Sequence, residues 1–174
     1  MFNTDYRFSG KHATYIKFLN EYTKNLDKNA KVAGLLPIAV DVYMVAPLIG
    51  VSYDRQAPVD TESNDSINIL ASQMVNRKDK FDSIYRLVLL ADKSTDLTDD
   101  EKISRAFKDD EDKTKTEKNL ALFNAYARGG IEWLYEKAND DATTEDDYIG
   151  KIKDVVELFC EDWEIGTEVT DEIL

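Results

Sequence analysis

The sequence predicts an all-α protein, a compact single-domain bundle of about six to eight helices. Three observations predict it. Apolar residues recur at steps of three and four along nearly the whole chain, the period of a helix face. Only 7 Gly and 3 Pro punctuate 174 residues, too few for the many tight turns of an all-β domain. The 43% hydrophobic content, with 9 Tyr, 7 Phe and 2 Trp, supplies side chains for a core, and a chain of this length buries most of its unfolded surface. Residues 1–164 are expected to form the helical domain and residues 165–174 an acidic tail.

The elements follow in order. Tyr15, Leu19, Tyr22 and Leu26 line one face of a first helix over 10–26, with Ser9 as its N-cap. A second helix is expected to start near Pro37 and to be ended or kinked by Pro47. It is apolar on nearly all sides and belongs at the centre. The stretch 50–66 reads as the longest loop, of a length that is often functional. Asp65 or Ser66 then caps a third helix with Ile67, Leu70, Ala71 and Met74 on one face. After a break at 76–80 comes a fourth, with Phe81, Ile84, Tyr85 and Val88. Thr98 and Glu101 have the spacing of a capping box, in which each side chain satisfies the other residue's free backbone N–H. That box opens a short helix holding Ile103 and Phe107. The charged run 108–115 reads as a connector. Thr116 begins a longer helix through Leu120, Phe123 and Ala127, which Gly129 and Gly130 interrupt. A glycine pair there marks a kink, a helix contact or a close backbone approach, since each costs about 1 kcal/mol of helix propensity. The last helix carries Tyr148, Ile152, Val155, Phe159 and Trp163.

Charge is distributed unevenly. The net charge is −13. Residues 139–174 hold 13 acids against Lys151 and Lys153 alone, a net −11. Such a field repels nucleic acid and anionic membrane and attracts a basic protein surface. Arg7, Lys11, Lys17, Lys24, Lys28 and Lys31 form a mild basic patch near the other end. It is too small to make a nucleic-acid binder of so acidic a chain.

Catalytic signatures are lacking. The single Cys160 cannot form an internal disulfide and reads as a small buried hydrophobe. The single His12 reads as a surface or capping residue. Zinc and di-iron sites need more Cys and His than this chain has. The acidic stretch 139–150 has Thr144 where a calcium loop requires glycine. No glycine-rich phosphate loop is present, so no metal and no cofactor is expected. Residues 32–51 have spanning length with a single charge, Asp41. The two prolines and that central carboxylate argue for a core helix and against a membrane segment. A cytoplasmic location is expected.

Asp41 breaks the apolar run 35–45. It is expected to be buried and bonded, with Arg55 or Arg86 as candidate partners. At the acidic end, Asp154, Glu157, Glu161 and Glu164 recur at helical spacing and form a carboxylate stripe opposite the apolar face. The expected function is a non-catalytic accessory protein that binds a partner partly through this stripe, with homodimerisation as a further expectation. One alternative is an acidic mimic of DNA that inhibits a nucleic-acid-handling enzyme, of the anti-restriction or anti-defence type. A second alternative is a small enzyme with a site formed by Asp41 and Arg55 or Arg128.

Overall fold

The computed structural model describes residues 1–25, 36–139, 150, 151, 154, 157 and 158. The chain divides into two compact units, Met1–Tyr135 and Glu136–Leu174. The first unit begins with strand β1 (Tyr6–Ser9), followed by helices α1 (Lys11–Asn25) and α2 (Ala39–Ser52). Strand β2 (Ser66–Ile69) and the short helix α3 (Ala71–Val75) come next. Helices α4 (Lys78–Ala91) and α5 (Asp99–Phe107), a single 3-10 turn (Asp109–Glu111) and the long helix α6 (Lys113–Ala138) complete the order. The last three residues of α6 fall in the second unit, where the described residues 150, 151, 154, 157 and 158 are also helical.

Among the described residues the fold is mainly helical, as expected, with one small two-stranded sheet that the sequence reading did not include. β1 and β2 pair antiparallel, with Tyr6 opposite Ile69 and Phe8 opposite Ile67. Phe8 and Ile69 point into the core, while Arg7 and Asn68 on the other face are exposed. Ser66 therefore opens a strand and caps no helix. The spacing of Ile67, Leu70, Ala71 and Met74 fits a helix, but Ile67-Asn68-Ile69 also alternates with period two. The partner strand, some sixty residues away, decides between the readings.

α2 lies at the centre, as its composition requires. Val40, Val42, Tyr43, Ala46, Pro47, Ile49, Gly50 and Val51 are buried. Pro47 does not end the helix, which continues to Ser52. Packing on several sides of α2 outweighs the lost backbone bond at this proline. Phe2, Tyr43, Phe81 and Phe123 draw the amino-terminus, α2, α4 and α6 into one aromatic cluster. Phe2 lies 4.9 Å from Phe81 and 5.6 Å from Phe123, and Tyr43 lies 5.8 Å from Phe123, between ring centroids. Full burial of each such ring contributes roughly 1.5–3 kcal/mol.

The glycine pair does not interrupt α6, which runs unbroken for 26 residues. It marks a close approach of backbones. A Cβ at Gly130 would stand 1.8 Å from the carbonyl oxygen of Ala46, and one at Gly129 would stand 2.0 Å from that of Arg55. The lost helix propensity secures a contact that no other residue permits. The capping box of α5 forms as expected, with the Thr98 and Glu101 side chains each accepting from the other's backbone N–H.

Candidate functional site

Polar residues that the sequence treats separately are gathered at the start of α1. β1 ends at Ser9, whose hydroxyl donates to the carbonyl of Asp60 at 2.8 Å. Ser9 is therefore not the cap of α1. The Asp60 side chain takes that place from the loop over 53–65, accepting the N–H of Lys11 at 2.5 Å. That amide and the amide of Glu62 hold the Asp60 carboxyl below its ordinary range. Gly10, at φ +62°, makes the turn between strand and helix, and a Cβ there would lie 2.1 Å from an Asp60 carboxylate oxygen. Five residues on, Asp65 accepts from the Thr14 hydroxyl at 2.9 Å and pairs with Lys17. The long loop is thus fastened to α1.

α6 closes the other side of this cluster. His12 is 1% exposed, so it is neither a surface nor a capping residue. Its Nε2 lies 2.9 Å from Glu132, and Lys11 reaches the same carboxylate oxygen at 2.9 Å. Burial pushes the His12 pKa down; Glu132 opposes that effect, while the charges of Arg128 and Lys11 add to it. The neutral imidazole is therefore favoured, with Nε2 donating to Glu132. One turn before Glu132, the buried Arg128 donates from Nε to the Ala57 carbonyl at 2.7 Å and from Nη1 to the Tyr6 hydroxyl at 3.2 Å. Burial raises the pKa of Tyr6, and the Arg128 guanidinium opposes the shift. Chemically, the cluster is a set of charge-assisted hydrogen bonds tying β1, α1 and the loop to α6. The His12 ring has almost no access to solvent.

A second polar centre lies between α4, α5 and α6. Asp92 is fully buried. It accepts from the Ser94 amide and hydroxyl, at 3.0 and 2.6 Å, and from the Thr95 hydroxyl at 2.7 Å. Arg105 Nη1 at 2.9 Å and the Tyr126 hydroxyl at 2.6 Å complete the set. Burial alone would raise the Asp92 pKa, but the bonds from Ser94, Tyr126 and Thr95 outweigh it and hold the carboxyl far below its usual range.

Among the described residues the fully buried acid is Asp92, and Asp41 is half-buried. Its side chain is 27% exposed, and its partner is Arg77, 3.9 Å away, in place of Arg55 or Arg86. The face of α2 that carries Asp41 is only partly covered, which relaxes the need for a close partner. Of the proposed carboxylate stripe, Asp154 and Glu157 are helical and exposed. Glu161, Glu164 and Cys160 lie outside the described residues. Among the described residues, no His, Cys, Asp and Glu group is arranged to hold a metal ion, and no helix is long and apolar enough to cross a membrane. Sequence reasoning missed Asp60, Asp92, Arg105 and Glu132. Glu132 carried a signal, an acid inside the apolar stretch from Gly129 to Leu134, by the logic applied to Asp41.

These features define a mainly helical protein in which, among the described residues, the buried His12, Asp92, Arg105 and Arg128 are each bonded within the chain. The family model described as DNA sulphur modification system-associated protein 4 matches residues 18–155. The chain belongs to that family. No curated protein and no solved structure matches it significantly.

Proposed function

We propose that this chain is a non-catalytic, cytoplasmic accessory component of a DNA sulphur modification system, acting by binding a partner protein of that system. The family match over residues 18–155 carries this reading. The internal use of the polar groups supports it. His12, Asp92, Arg105 and Arg128 are all buried and bonded to other residues of the chain. Each holds structure together, and none is presented to a substrate. The contact with the partner runs partly through the acids of the C-terminal stretch, Asp154, Glu157, Glu161 and Glu164, and a basic protein patch is their complement.

The test is co-purification with proteins of the DNA sulphur modification system of the same host, at low and high salt. Binding should weaken steeply as salt rises. Neutralising the four acids to Asn and Gln should slow association more than it speeds dissociation. Full binding by the quadruple variant at low salt would remove the acidic surface from the reading. The acidity also favours a second reading, in which the stripe imitates DNA on such a partner. Displacement of the protein by duplex DNA selects the mimic, and simultaneous binding selects the adaptor. Light scattering on the free protein decides whether it acts as a monomer or as a homodimer.

A further inference from the structure

We propose that the outer face of α5, together with the 3-10 turn after it, is a docking surface for a segment of a partner protein that carries apolar residues flanked by Lys or Arg. This goes beyond the preceding reading, because its residues belong to the first unit and Asp154 and Glu157 to the second.

α5 buries Arg105 and Ala106 and turns Ile103 and Phe107 outward. These two are 48% and 50% exposed and lie four residues apart, on one helix face. Asp99 and Asp100 stand one turn before Ile103, and Asp110 and Glu111 follow Phe107; all four are exposed. The result is a short apolar stripe with acids at both ends. It is also held in place. The Thr98–Glu101 box fixes the start of the helix, and the Arg105–Asp92 pair pins its inner face. The Arg86 guanidinium lies 4.9 Å from the centre of the Phe107 ring and sets its orientation. Asp109 and Asp112 serve the fold, the first pairing with Lys115 and the second accepting from the amides of Thr114 and Lys115.

Charge selects the occupant. Residues 96–112 hold 8 acids against Lys102, Arg105 and Lys108, and Arg105 is buried against Asp92. DNA and anionic lipid are repelled by such a surface. The acidic residues 139–174 of the same chain are repelled as well. A second copy carries the same net charge of −13 and is repelled overall. The complement is a basic segment of a different protein, with two or more apolar side chains to cover Ile103 and Phe107. A nine-residue helix is about 13 Å long, so the contact belongs to the small, transient class of interfaces.

The experiment titrates the isotopically labelled full chain with a short synthetic helical peptide. The peptide carries Leu at positions i and i+4 with Lys on both flanks. Two control peptides replace Leu by Ser or Lys by Glu. Amide shifts should centre on residues 99–111, and both controls should bind more weakly. Ile103→Ser with Phe107→Ser should weaken binding about tenfold or more, the scale of truncating an anchor pair. Should that variant lose its native spectrum, the surface variant Asp99→Asn, Asp100→Asn, Asp110→Asn, Glu111→Gln replaces it, with the same weakening expected. Asp154→Asn with Glu157→Gln should leave peptide affinity unchanged, which separates this surface from the acidic stripe above. The proposal is overturned by shifts centred on residues 139–174, by an unaffected double variant, or by no shift at millimolar peptide. A dimer that the Ile103 and Phe107 substitutions dissolve would also overturn it, because a second copy would then cover the face.

Discussion

Replacing Asp92 by alanine should destabilise this protein more than any surface change. The carboxylate is fully buried and accepts five hydrogen bonds. Its removal leaves the Arg105 guanidinium, 9% exposed, with no counter-charge, and leaves the buried Tyr126 hydroxyl without its acceptor. Breaking a buried pair by deleting one partner costs about 3–5 kcal/mol. In a domain of this size each kcal/mol moves the melting temperature by roughly 2–4 °C, so Asp92→Ala should lower it by about 6–20 °C. Thermal and urea unfolding followed by circular dichroism measure the loss. Arg105→Met in the Asp92→Ala background should recover part of it, because the stranded charge disappears. The two substitutions should therefore be strongly non-additive. The pH dependence has a definite sign. Asp92 binds its proton less readily folded than unfolded, so its contribution is complete above the unfolded pKa of about 3.9 and is lost as pH falls below it. A loss for Asp92→Ala below about 1 kcal/mol, the level of an exposed ion pair, together with simple additivity, would refute the reasoning.

Gly130→Ala should destabilise by about 1–3 kcal/mol through overpacking against the Ala46 carbonyl, despite alanine's better helix propensity; an unchanged urea midpoint would show that α2 and α6 separate freely. His12 has a lowered pKa, so the unfolded chain takes up its proton first. Stability should therefore fall as pH drops below about 6.5, and His12→Gln should flatten that slope in a series of melts between neutral and mildly acidic pH. Asp41→Ala should cost no more than about 1 kcal/mol, because its partner Arg77 is distant and both side chains are partly exposed; a much larger loss would place the carboxylate in a tighter pair.

Local chemistry was legible in the sequence wherever a short stretch determines its own structure. The Thr98–Glu101 box needs only four residues, and α5 starts at Asp99, directly after it. The composition of α2 placed it at the centre, since a helix apolar on all sides has no face for water. The amphipathic spacing gave α1 close to its observed bounds and the presence of α4, whose first turn begins inside the stretch read as a break. Boundaries were less secure where a residue has two local meanings. Pro47 can end a helix or lie inside a well-packed one, and Gly129-Gly130 can kink a helix or admit a neighbouring backbone.

By itself the sequence determined the mainly helical class, the central α2, the cap of α5 and the concentration of acid after residue 139, because each follows from propensity, periodicity or charge within a short window. Tertiary structure decided the rest. The pairing of β1 with β2 depends on strands some sixty residues apart. The bond between His12 and Glu132 joins residues 120 apart. Among the described residues Asp92 is the fully buried acid and Asp41 only half-buried, because α5 and α6 bring Arg105 and Tyr126 to the end of α4. Burial is a property of what packs against a residue from elsewhere in the chain, and no local pattern records which distant donors will meet a given carboxylate.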